Sequence, residues 1–153
     1  MTEHSEWLDD VKSRFDEYKG KGGFQVLFPE YRPDLTHALA NHLGLGFYDF
    51  RKHKMLSEGW RAGEITLDEM ATTLLEESKK SGLVVHNTEA LLATKSEKER
   101  KQWYEKFFSI DWPNPIILPV SIYQSDTPRG NPRVCDISLT EFPKESFLMR
   151  LAS

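Results

Sequence analysis

The sequence predicts an α/β protein: an open, mainly parallel five-stranded sheet with helices on both faces, arranged as three α/β/α layers. Three observations carry this expectation. Compact apolar runs of strand length alternate with longer segments whose apolar residues recur at helical spacing. The connections between them are short, as in a sheet wound from successive strand–helix units. One run, residues 116–123, is apolar nearly throughout, as a central strand covered on both faces must be. The chain has 153 residues, 39% of them hydrophobic, which suits one domain with an ordinary core.

Residues 5–18 place Trp7, Leu8, Val11, Phe15 and Tyr18 along one side at helical spacing, so an amphipathic helix opens the chain. Glycines at 20, 22 and 23 break it. Residues 24–28 are apolar, compact and closed by Pro29, and read as the first core strand. A turn at 29–34 follows, with Asp34 as the expected N-cap, before Leu35, Ala38, Leu39 and Leu43 form the next apolar stripe and Gly44 ends it. Residues 46–50 read as a second strand, and no regular element is assigned to 51–64. Thr66 and Glu69 make a capping box that opens a helix through Leu67, Met70, Leu74 and Leu75. Gly82 stops that helix and residues 83–87 form a strand. Thr94 and Glu97 read as a second capping box, opening a charged helix that carries Trp103, Phe107 and Phe108. Pro113 and Pro115 introduce the strand at 116–123, where Pro119 must occupy a bulge or a position whose amide is not needed. Beyond a polar loop at 124–132, residues 133–137 and 147–151 read as terminal strands.

Charge and composition narrow the function. Lys and Arg total 20 against 24 Asp and Glu, a formal charge of −4, which argues against a globally basic nucleic-acid binder and leaves only a local basic face. No apolar run approaches the roughly 20 residues needed to cross a bilayer. The acidic, polar start of the chain is unlike a secretory signal, so a cytoplasmic protein is expected. The single cysteine, Cys135, can form neither an internal disulfide nor a zinc cage by itself, and its setting between Val134 and Asp136 reads as a buried inert thiol. His37 and His42 stand about 140° apart on a helix, unlike a metal-binding pair. Neither a metal nor a cofactor is expected. No Gly-x-Ser-x-Gly elbow is present, so no catalytic residue is assigned.

Ligand sites in such sheets lie beyond the carboxyl ends of the strands. The glycines at 20–23 precede their strand, whereas a phosphate loop must follow one and open a helix, so they read as a linker. The loop at 29–34 stands where a phosphate loop belongs, yet it holds two prolines, no glycine and no lysine; Arg32 is its only cation. At the end of the third strand His86 or Asn87 occupies the place of a metal-linked aspartate, and Glu89 is the one carboxylate able to act as a base. Arg51, Lys52, His53, Lys54, Trp60 and Arg61 form a basic, aromatic stretch, read either as a solvated loop or as a contact surface. Of the four tryptophans, Trp7 and Trp103 have the helical company of core residues, so Trp60 and Trp112 are expected to be exposed and available to a partner.

In order, residues 24–28, the helix ending in Ala38, Leu39, Ala40, Asn41, His42, Leu43 and Gly44, the strand at 47–50, the strand at 83–89 and the strand at 116–123 resemble the AAA/RecA branch of P-loop NTPases. The resemblance spans about residues 24–124 and lacks Walker A. It places Arg32 nearest the family's phosphate lysine, Asn87 or His86 nearest the Walker B aspartate, Glu89 nearest the base, and Ser121 or Gln124 nearest the sensor residue. It implies a P-loop-like fold that has lost nucleotide hydrolysis. The run at 85–92 is also similar to small P-loop-type proteins of bacterial phage-defence operons, including phage-exclusion (BREX) systems, which implies a non-catalytic subunit docked on a larger ATPase, nuclease or phosphatase-like partner. Three functional expectations follow. The first is an adaptor or regulatory subunit with a protein partner, using Arg51, Lys52, Lys54, Trp60, Arg61 and Trp112 as its surface. The second is a nucleotide-binding enzyme with an unconventional site of Arg32, Asn87, Glu89 and Gln124. The third is a nucleic-acid module using Lys52, Lys54, Trp60 and Arg61, with Arg129 and Arg133.

Overall fold

The computed structural model describes residues 6–18 and 22–137. Helix α1 (Glu6–Glu17) buries Trp7, Val11 and Phe15, spaced four apart so that they share one face. It leads to β1 (Gly23–Leu27), buried along its whole length. Helix α2 (Pro33–Leu43) starts at Pro33, which suits the first helical position because it lacks an amide that would be orphaned there. That placement makes Arg32 the N-cap and moves Asp34 into the first turn, correcting the expected Asp34 cap. Gly44, at φ 68°, closes α2 in the left-handed conformation that glycine adopts without a Cβ clash.

After β2 (Gly46–Asp49), residues 51–64 are helical but irregular: a π turn over Arg51–Met55, then a 3₁₀ segment over Leu56–Glu64 broken at Gly59. Helix α3 (Leu67–Ser78) opens on the Thr66–Glu69 capping box, with both reciprocal bonds made. Strand β3 (Leu83–His86) is followed by a single turn, α4 (Glu89–Leu92), and by α5 (Glu97–Ser109). The box that opens α5 is Ser96–Glu99, not Thr94–Glu97, because the Thr94 hydroxyl is already donated to the Leu91 carbonyl in the preceding turn. Strand β4 (Ile116–Val120) ends three residues earlier than the apolar run suggests, a 3₁₀ turn covers Gln124–Asp126, and β5 (Val134–Asp136) closes the described chain. The expected strand at 147–151 lies outside the described residues.

All five strands are parallel, in the order β2-β3-β4-β1-β5. Pro119 stands opposite Val26 of β1, two residues past the point where the β3 ladder stops at Val84 and Ile117. Its missing amide therefore interrupts no β3 pairing. Alternate residues of each strand feed opposite layers, as the two-residue period of a strand requires. Phe24, Val26, Val84 and Ile117 pack with α1 and α2, while Leu27, Leu83, Val85, Ile116, Leu118 and Val120 pack with α3, α4 and α5. The result is a three-layer α/β/α sandwich. Trp112, expected on the surface, is only 5% exposed: its indole N–H donates to the Phe107 carbonyl at 2.9 Å and its ring packs on Phe107.

Candidate functional site at the strand ends

Because β4 lies between β3 and β1, the loops leaving these three strands meet at one corner of the sheet. There they enclose a cleft of about 280 Å³ lined mainly by apolar groups, among them Phe28, Ala90, Ala93, Pro119, Val120 and Ile122. Its location fits the rule that open α/β sheets bind ligands beyond the carboxyl ends of their strands, where the chain departs to opposite faces. Here α2 leaves β1 for one layer while α4 and α5 leave β3 for the other.

The polar side of the cleft is a relay of hydrogen bonds from β2 to β1. The Asp49 carboxylate accepts the Asn87 amide N–H₂ at 3.1 and 3.2 Å, which fixes the amide with its oxygen facing away. That oxygen accepts the Tyr31 hydroxyl proton at 2.9 Å, so the remaining 3.0 Å contact of the Tyr31 oxygen is filled by a proton on His86 Nε2. Asn87 holds φ at 66°, a left-handed conformation that asparagine tolerates better than other side chains, and this turns its amide toward both partners. The His86 ring is stacked under Tyr31 and also touches Phe47, on whose other contact lies His37. Burial pushes the His86 imidazole below its ordinary value, with Asp49 opposing and His37 adding to the shift.

The charged groups Arg32 and Glu89, which line the cleft, are matched within the chain. Arg32 is buried and forms a forked pair with Asp34, Nε to Oδ1 at 3.0 Å and Nη2 to Oδ2 at 2.9 Å, with Glu30 at 4.0 Å. A phosphate approaching Arg32 would compete with this bidentate carboxylate. The Glu89 carboxylate accepts four hydrogen bonds from the turn after β4: the Ser121 amide and hydroxyl at 3.0 and 3.1 Å, and the Ile122 and Tyr123 amides, each at 2.7 Å. Consecutive backbone amides of this kind form an anion-binding concavity, and the chain's own carboxylate fills it. Gln124 lies just behind, donating its side-chain amide to the Phe28 and Ser121 carbonyls, so it ties the β4 turn to β1 and does not line the cleft. Arg100 supports the same turn through Asp126 at 2.7 Å and stacks on Tyr123.

The structure thus brings Arg32, Asn87 and Glu89 to one cleft with Gln124 behind it. Arg51, Lys52, Lys54, Trp60 and Arg61 occupy the neighbouring end of β2, exposed, with Arg61 over the Trp60 ring. Arg129 and Arg133 lie beside β5, at the other end of the sheet, where Arg129 pairs with Asp136 and Arg133 stacks on Tyr18. They do not join the basic stretch. Trp112 lies in the core and leaves the candidate surface. Tyr31, Asp49 and Ile122 were not singled out from the sequence; the available signal was their position at a carboxyl strand end, Asp49 closing β2 and Tyr31 and Ile122 standing in the loops after β1 and β4. Among the described residues no three His, Cys, Asp or Glu side chains are grouped as metal ligands, and no helix is long and apolar enough to cross a membrane. Cys135 is buried, which pushes its thiol up and makes it a poorer nucleophile. Compared with protein-family models, with curated proteins and with solved structures, the chain gives no match.

Proposed function

We propose that this chain is a non-catalytic, P-loop-like α/β module that serves as an adaptor or regulatory subunit, docking onto a larger protein partner. The observation that carries the reading is the internal use of the groups nearest the catalytic positions. Glu89, nearest the base, is saturated by the Ser121–Tyr123 turn, and Arg32, nearest the phosphate cation, is forked onto Asp34. A carboxylate that already accepts four donors from its own chain has its acceptor sites filled and none turned to a catalytic water. The exposed large apolar side chains among the described residues point the same way. Tyr31, Leu56, Trp60 and Ile122 all stand on segments leaving the carboxyl ends of β1, β2 and β4, where a partner would cover them. The similarity over residues 85–92 suggests a bacterial phage-defence assembly as the setting.

The test is hydrolysis of ATP and GTP with Mg²⁺ by the purified chain. The expected rate equals the protein-free blank for both the native protein and Glu89→Gln. Hydrolysis that is present in the native protein and lost in Glu89→Gln would overturn the proposal.

A further inference from the structure

The basic stretch begins beside the cleft. Asp49 joins them: its carboxylate holds Asn87 at the cleft and also accepts the backbone amide of Lys52 at 3.0 Å, fixing the start of the π turn. Arg51 lies close enough to the Tyr31 phenol to oppose the upward push that burial exerts on it. The corner therefore presents an apolar pocket beside the start of the basic stretch.

The cations of that stretch cluster within residues 51–61 of an acidic chain. Lys12, Lys79, Lys80, Lys101, Lys106 and Arg129 are each held by a carboxylate. Among the described residues, Arg51, Lys52, Lys54 and Arg61 have no such partner, as is also true of Arg14 and Lys95, which bond backbone carbonyls, and of Lys98; Glu58 and Glu64 share the 51–64 segment. The backbone also keeps this surface open. Gly59 sits at φ 58° and ψ −126°, a conformation that L residues rarely adopt, and breaks the 3₁₀ segment just before Trp60, which is 82% exposed. The kink leaves the Trp60 indole outside the core, the setting an interface anchor needs.

We infer that this corner docks an acidic segment of a partner protein, one bulky apolar side chain seated between Tyr31 and Ile122 and flanking carboxylates on Arg51, Lys52, Lys54 and Arg61. The inference rests on the docking reading above and specifies its partner's chemistry. Charge complementarity selects an acidic occupant, since four cations without a carboxylate partner, Arg51, Lys52, Lys54 and Arg61, cluster at this edge of a chain with net charge −4. A nucleic acid fits less well, because the rest of the chain would repel a long polyanion and Arg129 and Arg133 lie at the opposite end of the sheet.

The experiment is selection of a phage-displayed random peptide library on the immobilised full chain, followed by fluorescence-polarisation titration of one enriched synthetic peptide. Enriched peptides should combine Asp and Glu with a single Trp, Phe, Leu or Ile. Affinity should fall about tenfold or more both in Arg51→Glu/Lys54→Glu and in Ile122→Asp. Lys79→Glu, at the opposite edge, should bind as the native protein does. Enrichment of basic or neutral peptides, or binding that survives both variants, would overturn the inference while leaving the non-catalytic reading in place, because that reading falls only to nucleotide hydrolysis. Salt-sensitive binding of single-stranded DNA, lost in the same charge reversal and unaccompanied by peptide enrichment, would also overturn it.

Discussion

Trp112 and Trp60 stand at opposite edges of one parallel sheet, and their surroundings differ as the edges do. Trp112 precedes β4 at the amino edge, where space is filled. Its indole is hydrogen-bonded and buried, and a Cβ at nearby Gly23 would come within 2.7 Å of the Phe107 ring on which Trp112 packs. Trp60 lies in the segment after β2 at the carboxyl edge, just past Gly59 at φ 58°, and its indole is left in solvent. The amino edge is built for packing. At the carboxyl edge Arg32 and Glu89 are matched within the chain while Tyr31, Trp60 and Ile122 are left exposed, as the proposed docking surface requires.

The largest test of this contrast is Trp112→Ala, expected to lower the free energy of unfolding by about 3–5 kcal/mol in urea titrations, the range for deleting a large buried aromatic. A loss below about 1 kcal/mol would place the indole outside the core. Next is Glu89→Ala. It leaves three backbone amides and a hydroxyl of the β4 turn without their acceptor and should cost about 3 kcal/mol, with Glu89→Gln costing less because an amide oxygen still accepts. A neutral Glu89→Ala would show that the carboxyl edge is not internally satisfied and that Glu89 is available for chemistry.

A smaller effect concerns pH. Burial first, and His37 second, hold the folded His86 imidazole below its usual value, against the pull of Asp49. The unfolded chain therefore binds the proton more readily below about pH 6.5, so this contribution to stability is complete above that pH and is lost as pH falls through the lowered folded value. His86→Asn should flatten that acid-side decline in urea midpoints. An unchanged slope would mean that His86 is not held neutral by its stack. The smallest effect is Trp60→Ala, expected to change stability by less than about 0.5 kcal/mol while weakening partner binding. A large stability loss there would contradict an exposed anchor.

The layers and the strand sequence were legible because their information is local: periodicity, glycine stops and the Thr66–Glu69 box. The second box was misplaced because Thr94 and Ser96 both precede a glutamate by three residues, and only the hydrogen bond from Thr94 to Leu91 decides between them. Residues 51–64 carried no helical period because they form a π turn and a broken 3₁₀ segment. Trp112 was misjudged because its burial depends on a neighbouring helix end. The cleft was legible only in part. Its members come from separate strand ends, Tyr31 meeting His86 across 55 positions and Glu89 meeting Ser121 across 32, so no local pattern marks the Tyr31–His86–Asn87–Asp49 relay or shows that Glu89 is already bound.

The most direct measurement of the central claim is the thermal unfolding midpoint of the native chain with increasing ATP in the presence of Mg²⁺, since a ligand of the folded state must raise it. With Arg32 and Glu89 both engaged inside the chain, the midpoint should stay constant across the titration. A saturable rise that disappears in Arg32→Ala would contradict the account and make the strand-end cleft a nucleotide site.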